Sequence, residues 1–256
     1  MPASFCGLYG IRPTHGRLPL EGMLPQAPSS DTTGWFARDA TTFARVSQVM
    51  LGEDLHQELP KKLVIAVDAF GFADDDVQTA LKPMVSHLTR LIGQSREDSM
   101  APQGLSVWAR AQRMLQPAEA WETFRPWIEA TNPRMAFVVA RNLIAGSQIS
   151  AAERAWAGLM RIEARARLTH LLGDGAILCL PTTPFPAPTK GQAISALNIV
   201  RDRITCLAAH GGLTGVPQVS IPGATVNGLP VGLSIVGAHG QDAMLVAVAK
   251  AVENMA

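Results

Sequence analysis

The stretch that decides the fold runs from Leu213 to Gly237 and reads LTGVPQVSIPGATVNGLPVGLSIVG. It contains two short apolar runs, Gln218–Ile221 and Val231–Val236, and their β-branched residues are typical of buried strands. Asn227-Gly228 stands near the middle of the residues between them, and this dipeptide favours a turn. The pattern therefore predicts two strands that pair as a hairpin with a longer loop.

Two more buried strands are predicted further towards the N-terminus. Leu63–Val67 and Ala176–Leu180 are apolar runs, bounded by charged residues or by the Pro-Thr-Thr-Pro turn at 181–184. The loop-rich first 38 residues hold too many glycines and prolines for long regular elements. We therefore expect an α/β chain with four strands, which is few for its length. An incomplete sheet of this kind would expose an unpaired edge.

Helices are predicted where capping residues precede apolar positions at helical spacing. Asp39, the Asp74–Asp76 run and the Ser150–Glu153 capping box each mark an N-terminus. A helix is also expected over Asn198–Ala209, and Asp242 is expected to cap the last helix.

Prolines and side-chain patterns refine these helices. Pro83 predicts a kink or an early second segment, and the aromatic cluster after residue 94 is expected on short helices. The prolines that would keep those helices short are Pro117, Pro126 and Pro133. In the helix after Ser150 the expected buried stripe is Trp156, Leu159, Ile162 and Ala166. Its arginines are expected mostly on the solvated face: Arg154, Arg161, Arg165 and Arg167.

Composition narrows the class of protein. Apolar residues make up 47% of the 256 residues and charged residues 17%, which favours a globular fold over disorder. The formal net charge of +1 gives no electrostatic case for nucleic acid or an anionic membrane. No apolar stretch reaches the roughly 18–20 residues that span a bilayer. Three widely spaced cysteines make neither a disulfide framework nor a zinc site, and a reducing cytoplasm fits them.

Standard catalytic motifs do not occur. The sequence contains no GxSxG elbow, no HExxH pair and no P-loop. Cys179 is expected in the core, and the Asp74–Asp76 run is explained more simply as a helix start than as a cation site. His15 is interpreted as an ordinary loop residue, although a general base is an alternative. His210 precedes a glycine pair, and its imidazole is a minor candidate for a cleft.

Longer strings carry a family resemblance. Pro2-Ala3, Cys6-Gly7, Gly10, Pro13-Thr14 and Gly16-Arg17 resemble the string that follows the nucleophile in the amidase signature family, with Arg12 at the usual lysine position. Further matches, in the family's order, are Ser30-Asp31-Thr32 with Gly34 and Ala37-Arg38, Leu180–Pro184, Leu213–Pro217 with Ser220–Pro222, and Gly228–Leu233 with Val236-Gly237.

The resemblance implies a fold and a mechanism. The fold is an α/β/α sandwich with a mixed central sheet, here expected to be partial. The family cleaves amide bonds by acyl transfer, using a nucleophilic serine, a second serine held by a cis peptide and a lysine that acts through it as the base. Aligned to this sequence, all three groups fall before Met1, as does the substrate-contacting arginine. We do not transfer the nucleophile's role to Ser4, and we assign no catalytic residue.

Two residues are low-ranking candidates for substrate binding. Thr183 follows a strand end, where ligands commonly bind, although a simple turn is at least as good an explanation. Thr205 stands where the glutamine-using branch of the family carries an acidic residue that holds the substrate's amino group. That difference argues against a free amino acid as substrate and favours a simple or aromatic amide.

The remaining expectations concern organisation and partners. One domain is expected over residues 1–256, in three segments: loops, a helix and a strand–helix unit at 1–92, a helical insertion at 93–175, and strands with a closing helix at 176–256. No cofactor, metal, nucleic acid or membrane is expected, and the location is expected to be cytoplasmic. We expect a truncated amidase, inactive alone. Two alternatives stay open: a split enzyme completed by an N-terminal amidase fragment, and a non-catalytic binding or scaffold remnant. Self-association into a homo-oligomer is also expected.

Overall fold

The computed structural model describes residues 1–53, 55 and 58–253. Residues 54, 56 and 57 of the first expected segment and residues 254–256 of the third therefore lie outside the described residues. The helices within this part of the chain are α1 (Pro2–Cys6), α2 (Ala40–Leu51), α3 (Val67–Phe72), α4 (Asp75–Ile92), α5 (Leu105–Thr131), α6 (Phe137–Ser147), α7 (Ala151–Leu171), α8 (Ile194–Thr214) and α9 (Asp242–Glu253). The strands are β1 (Tyr9–Arg12), β2 (Trp35–Ala37), β3 (Lys62–Ala66), β4 (Ser95–Asp98), β5 (Ala176–Pro181), β6 (Gln218–Val226) and β7 (Leu229–Val236).

The strands form one mixed sheet, which confirms the α/β prediction. Its order is β2-β1-β6-β7-β5-β3-β4. The pairs β5–β3 and β3–β4 are parallel, and the other four pairs are antiparallel. The expectation of four strands is wrong, because the short strands β1, β2 and β4 extend the sheet to seven within the described residues. The edges are then β2 and β4, of 3 and 4 residues, which offer little backbone for further pairing.

Helices cover both faces of the sheet. Along β5, Ile177 and Cys179 point to one face and Leu178 and Leu180 to the other, since successive side chains of a strand alternate. The first face packs against α2, α4 and α9, and the second against α5, α7 and α8. Cys179 is fully buried there, and burial raises the pKa of its thiol to about 12. No helix in the described part of the chain is both long and apolar enough to cross a bilayer.

The hairpin differs from its prediction. β6 and β7 continue to Val226 and from Leu229, so the connection is only Asn227-Gly228. Both residues have positive φ, 50° and 76°, as a tight two-residue turn requires. The longer loop was expected because the two apolar runs end at Ile221 and begin again only at Val231. The strand instead passes Pro222-Gly223 through an irregularity between Ile221 and Ala224.

Two helices continue through prolines that were expected to interrupt or shorten them. α4 runs unbroken through Pro83, so the expected second segment does not form. α5 extends over 27 residues with Pro117 and Pro126 inside it, so the prediction of short helices is wrong. α5 packs against α6, α7 and α8, and this burial offsets the backbone hydrogen bonds that the two prolines remove.

The capping box of α7 is confirmed, but its buried stripe is not the expected one. Ser150 and Glu153 cap each other reciprocally. Of the expected residues, Trp156 is partly buried and packs against the core. Leu159 and Ile162 are 61% and 64% exposed, and Ala166 is also exposed. The buried positions are Ala157, Ala164, Leu168 and Leu171. The small alanines allow α7 to approach its neighbours closely, which sequence periodicity does not reveal.

The arginines of α7 are also placed differently from the prediction. Arg161 lies 3.5 Å from Glu119 and Arg167 lies 2.6 Å from Asp98, and both side chains are mostly buried. The prediction of a solvated basic face is therefore wrong for these two residues, which join α7 to α5 and β4.

Candidate active-site cleft

Helix α1 lies at the edge of a cleft and is held on the sheet by one buried serine. The Ser4 hydroxyl accepts a hydrogen bond from the Gly232 N–H at 2.9 Å, and its oxygen lies 3.1 Å from the Thr183 hydroxyl. Pro2 begins the helix, where its missing N–H costs nothing, and Gly7 ends it in the left-handed region with φ of 64°. Ser4 therefore joins the first helix to β7 and to the end of β5.

A second group of buried hydroxyls lies next to the Ser4–Thr183 pair. The Thr182 hydroxyl lies 2.8 Å from that of Ser234 and 3.0 Å from that of Ser220. The Gln218 amide donates to Ser234 at 2.7 Å. These partners leave the buried hydroxyls satisfied, which fixes the strand ends below α1.

The cleft itself is bounded by the N-terminal end of α1, the loop 30–32, α5 and α8. Its volume is about 360 Å³. Arg12 lies on its floor, and one guanidinium nitrogen donates to the Ser30 carbonyl at 2.7 Å. Burial lowers the pKa of Arg12, while the nearby Asp31 carboxylate raises it. The Arg12 Nε has no hydrogen-bond partner among the residues that the structure describes.

Gln112 of α5 forms the opposite side. Its side chain is only 8% exposed, and no described residue forms a hydrogen bond with its Oε1. Two glycines of α8 make room for these polar side chains. A Cβ on Gly211 would stand 3.2 Å from Arg12 Nε, and a Cβ on Gly212 would stand 2.3 Å from Gln112 Nε2. Side chains at these positions would therefore displace both groups.

The two predicted substrate-binding residues are placed differently. Thr205 lines the cleft, half-buried, and its hydroxyl donates to the Arg201 carbonyl at 2.8 Å. Thr183 is 1% exposed and lies under α1, bonded to Ser4. The structure thus brings Thr205 to the cleft and keeps Thr183 below it. Prediction from sequence missed Gln112, because its burial depends on how α5 packs against α8.

None of the described histidines lines this cleft. His210 is fully buried, and neither ring nitrogen has a partner in hydrogen-bond geometry among the described residues. Burial lowers the pKa of His210 to about 4, so the ring is neutral at pH 7. The minor expectation that it reaches a cleft is wrong, since its side of α8 faces the interior. The His15 Nε2 lies 2.8 Å from the Pro28 carbonyl, as suits a loop residue.

In the Pro13-Thr14 part of the glycine-rich string, Thr14 binds the start of α9 through Asp242. The buried Asp242 carboxylate accepts from the Thr14 N–H at 2.7 Å and from its hydroxyl at 2.6 Å. Asp242 marks the start of α9 as predicted, but it is the first residue of the helix, and its carboxylate binds Thr14. Nearby, Arg17 bonds Glu53 at 2.8 Å. Among the described residues, no cluster of histidine, cysteine or carboxylate side chains fits a metal.

Comparison with known proteins agrees with this architecture. The family model described as Amidase matches residues 1–246. Amidase 1 of Oryza sativa subsp. japonica is 31% identical, over 96% of this chain and 63% of its own length. One of the subunits of the glutamyl-tRNA(Gln) amidotransferase of Thermus thermophilus is 29% identical, over 98% of this chain and 61% of its own length.

A solved structure described as an amidase superposes with a TM-score of 0.83 and 27% identity, over 99% of this chain and 59% of that one. The chain therefore spans less than two thirds of the length of these relatives. The matched residues nevertheless include α1, every strand of the sheet and the cleft beside α8. The chain belongs to the Amidase family.

Proposed function

We propose that this chain forms the sheet, the covering helices and one wall of the substrate cleft of a hydrolase that cleaves the carbon–nitrogen bond of amides. The observation that carries the proposal is the cleft at the N-terminal end of α1, because the family's nucleophile aligns four residues before Pro2. A group held there would stand beside Arg12 and Thr205. The one-domain organisation in three segments is part of the same proposal.

The proposed reaction is acyl transfer. A serine hydroxyl attacks the amide carbon while a neutral lysine, acting through a second serine, takes its proton. Donors that face the developing oxyanion each contribute roughly 3–4 kcal/mol. The tetrahedral intermediate then expels the amine or ammonia, which receives the proton from the base, and this leaves the acyl-enzyme. Water hydrolyses the acyl-enzyme to the carboxylic acid and the free serine. These reacting groups align before Met1, so residues 1–256 are proposed to position the reaction and not to perform it.

The retained residues have supporting roles in this proposal. Thr205 contacts the substrate from α8, since this residue lines the cleft. Thr183 acts through Ser4, whose two hydrogen bonds hold α1 against β7. Ser4 itself is not a nucleophile, because it is buried and its neighbours are a hydroxyl and a backbone N–H, neither of which is a base.

A two-polypeptide enzyme is a second form of the same function. The Thermus thermophilus relative is named as one part of a multi-subunit amidotransferase, which supports the idea of a partner chain. A separate N-terminal polypeptide with the lysine and both serines would then complete the site.

The test is complementation. Residues 1–256 alone are incubated with benzamide or indoleacetamide, and we expect ammonia release no faster than in buffer. An N-terminal amidase segment is then joined ahead of Met1, or added separately, and ammonia release is expected to appear. The matched control carries alanine at the nucleophilic serine of that segment. Turnover by residues 1–256 alone would contradict the proposal, and so would a fluorophosphonate adduct on Ser4. Failure of both joined and separate segments would favour a non-catalytic scaffold.

A further inference from the structure

We propose that Arg203 of α8 is a positioning residue, because it fixes the turn after β5 and, through that turn, the helix α1 at the edge of the cleft. This inference rests on the proposed function, in which the reacting serine aligns just before α1. It adds a residue that controls the rate without touching the substrate. It depends on a row of stacked side chains that joins α8 to α1.

The Arg203 guanidinium contacts two phenylalanine rings. Its Cζ lies 5.1 Å from the centroid of the Phe185 ring and 5.8 Å from that of the Phe72 ring. One of its terminal nitrogens donates to the Asp74 carboxylate at 2.6 Å. A guanidinium at this distance is attracted to an aromatic face, and its planar shape suits stacking. Arg203 thus connects the end of α3 and the start of α4 to the turn that follows β5.

The turn at residues 182–185 passes this constraint on to α1. Its Pro184 carbonyl accepts a hydrogen bond from the Asp74 N–H at 2.9 Å, on the side of α4. Its Phe185 ring stacks against the Phe5 ring of α1, with 6.5 Å between the centroids and 14° between the planes. The row of side chains therefore reaches from α8 across the turn to α1.

The same turn carries the hydroxyl that bonds α1. The Thr183 hydroxyl lies 3.1 Å from that of Ser4, which also accepts from the Gly232 N–H. Ser4 and Phe5 are adjacent in α1, so the hydrogen bond and the ring stack hold neighbouring positions of this short helix. A shift of the turn would move both contacts and, with them, the start of α1.

Arg203 itself lies away from the substrate cleft. It is not among the residues that line the cleft, and it stands two residues before Thr205, which is. Two residues along an α-helix turn by about 200°, so these side chains point to opposite sides of α8. The ion pair of Arg203 with Asp74 is partly exposed and contributes little to stability by itself. The effect of Arg203 is therefore expected on the position of α1, and not on substrate binding.

The first measurement is amide hydrogen exchange, followed by NMR on the 256-residue chain, which needs no turnover. Arg203→Lys keeps the positive charge but loses the planar group that stacks on the rings. The Gly232 amide, whose acceptor is Ser4, is expected to exchange at least about fivefold faster in this variant. The Ile235 amide, further along β7, should keep its rate, which separates a local shift from a general loss of stability.

Two further variants test the assignment. Arg113→Lys is the matched control, because Arg113 pairs with Asp202 at 2.8 Å and stacks on no aromatic ring among the described residues. It should leave Gly232 exchange unchanged. Phe185→Leu should accelerate it as Arg203→Lys does, and the double variant should add less than the sum, because both residues act through one contact.

The second measurement uses the joined enzyme of the complementation test, with benzamide as the substrate. Arg203→Lys is expected to lower kcat about tenfold and to leave KM within about twofold. The reason is that a small displacement of a reacting group costs rate, whereas no substrate contact is removed.

Several outcomes would overturn the inference. They are unchanged Gly232 exchange in Arg203→Lys, equal acceleration at Gly232 and Ile235, and a raised KM with unchanged kcat, which would make Arg203 a substrate-binding residue. If the joined enzyme shows no activity at all, the proposed function has failed. The exchange rates of the 256-residue chain then still decide whether Arg203 fixes α1.

Discussion

Replacing Thr14 by valine removes one hydroxyl that serves two partners. The hydroxyl donates to the Asp242 carboxylate at 2.6 Å and accepts from the Gly240 N–H at 3.0 Å. Valine has nearly the same shape, so no cavity forms. The carboxylate loses a hydrogen bond to a charged acceptor, worth about 1.5–3 kcal/mol, and the Gly240 N–H loses its acceptor. We expect the free energy of unfolding to fall by about 2–4 kcal/mol.

The measurement is urea unfolding followed by far-ultraviolet circular dichroism, and an unchanged slope would show that the denatured state is unaffected. Thr123→Val is the matched control. The Thr123 hydroxyl donates only to the Glu119 carbonyl, four residues back in α5, and its loss should cost less than about 0.5 kcal/mol. Equal losses in the two variants would refute the view that Thr14 holds α9 through Asp242.

Further predictions test backbone approach and buried charge. Gly146→Ala would place a Cβ 2.0 Å from the Pro117 carbonyl oxygen and should destabilise the fold by about 1–3 kcal/mol. Gly158→Ala, at a position with open space around it, should stabilise the fold by about 0.5–1 kcal/mol. Thermal unfolding of both variants is the measurement, and a stabilised Gly146→Ala variant would contradict the prediction. Burial lowers the pKa of His210 in the folded state from 6.5 to about 4. The contribution of the neutral ring to the free energy of unfolding is therefore complete above pH 6.5, and roughly 3 kcal/mol of it is lost as the pH falls towards 4. Urea unfolding measured at a series of pH values should show this loss, and His210→Leu should make the free energy of unfolding less dependent on pH. Gly228→Ala, at φ of 76°, should cost about 1 kcal/mol by urea unfolding although its Cβ would touch no described residue, and no loss would contradict the tight turn.

The sequence predicted correctly those helices and strands that are specified by their own residues or by adjacent ones. Asp39 caps α2 with a hydrogen bond to the Thr42 N–H, and Gly52 ends that helix in the left-handed region. The apolar run at Ala176–Leu180 became the fully buried strand β5. In each case the residues that specify the element lie within it or next to it, so one sequence suffices to find them.

Elements that depend on distant partners were missed. β4 consists of Ser95–Asp98, all polar, and is a strand because β3 pairs with it in parallel. The stripe of α7 was misassigned because Leu159 and Ile162 are larger than the alanines that face the core. Burial there is decided by the close approach of α5, a helix that was expected to be shorter because of Pro117.

The residues of the candidate site also differ in whether the sequence alone could indicate them. Thr205 was found because a family position pointed to it. Gln112 was not, since only the packing of α5 on α8 decides which residue of α5 faces the cleft. Polar side chains that lack partners become visible only when both helices are in place.

Three glycines of the family strings stand where a neighbouring residue approaches closely. A Cβ on Gly10 would stand 2.6 Å from that of Ala3, and one on Gly34 would stand 2.3 Å from the Ile11 carbonyl oxygen. A Cβ on Gly232 would stand 2.9 Å from the Ser220 hydroxyl. The first of these contacts joins β1 to α1, and a Cβ on Gly232 would also stand 3.3 Å from that of Ser4 in α1. In the proposed enzyme, these glycines are expected to act by fixing the position of α1, because orientation to within about 1 Å governs rates at such sites.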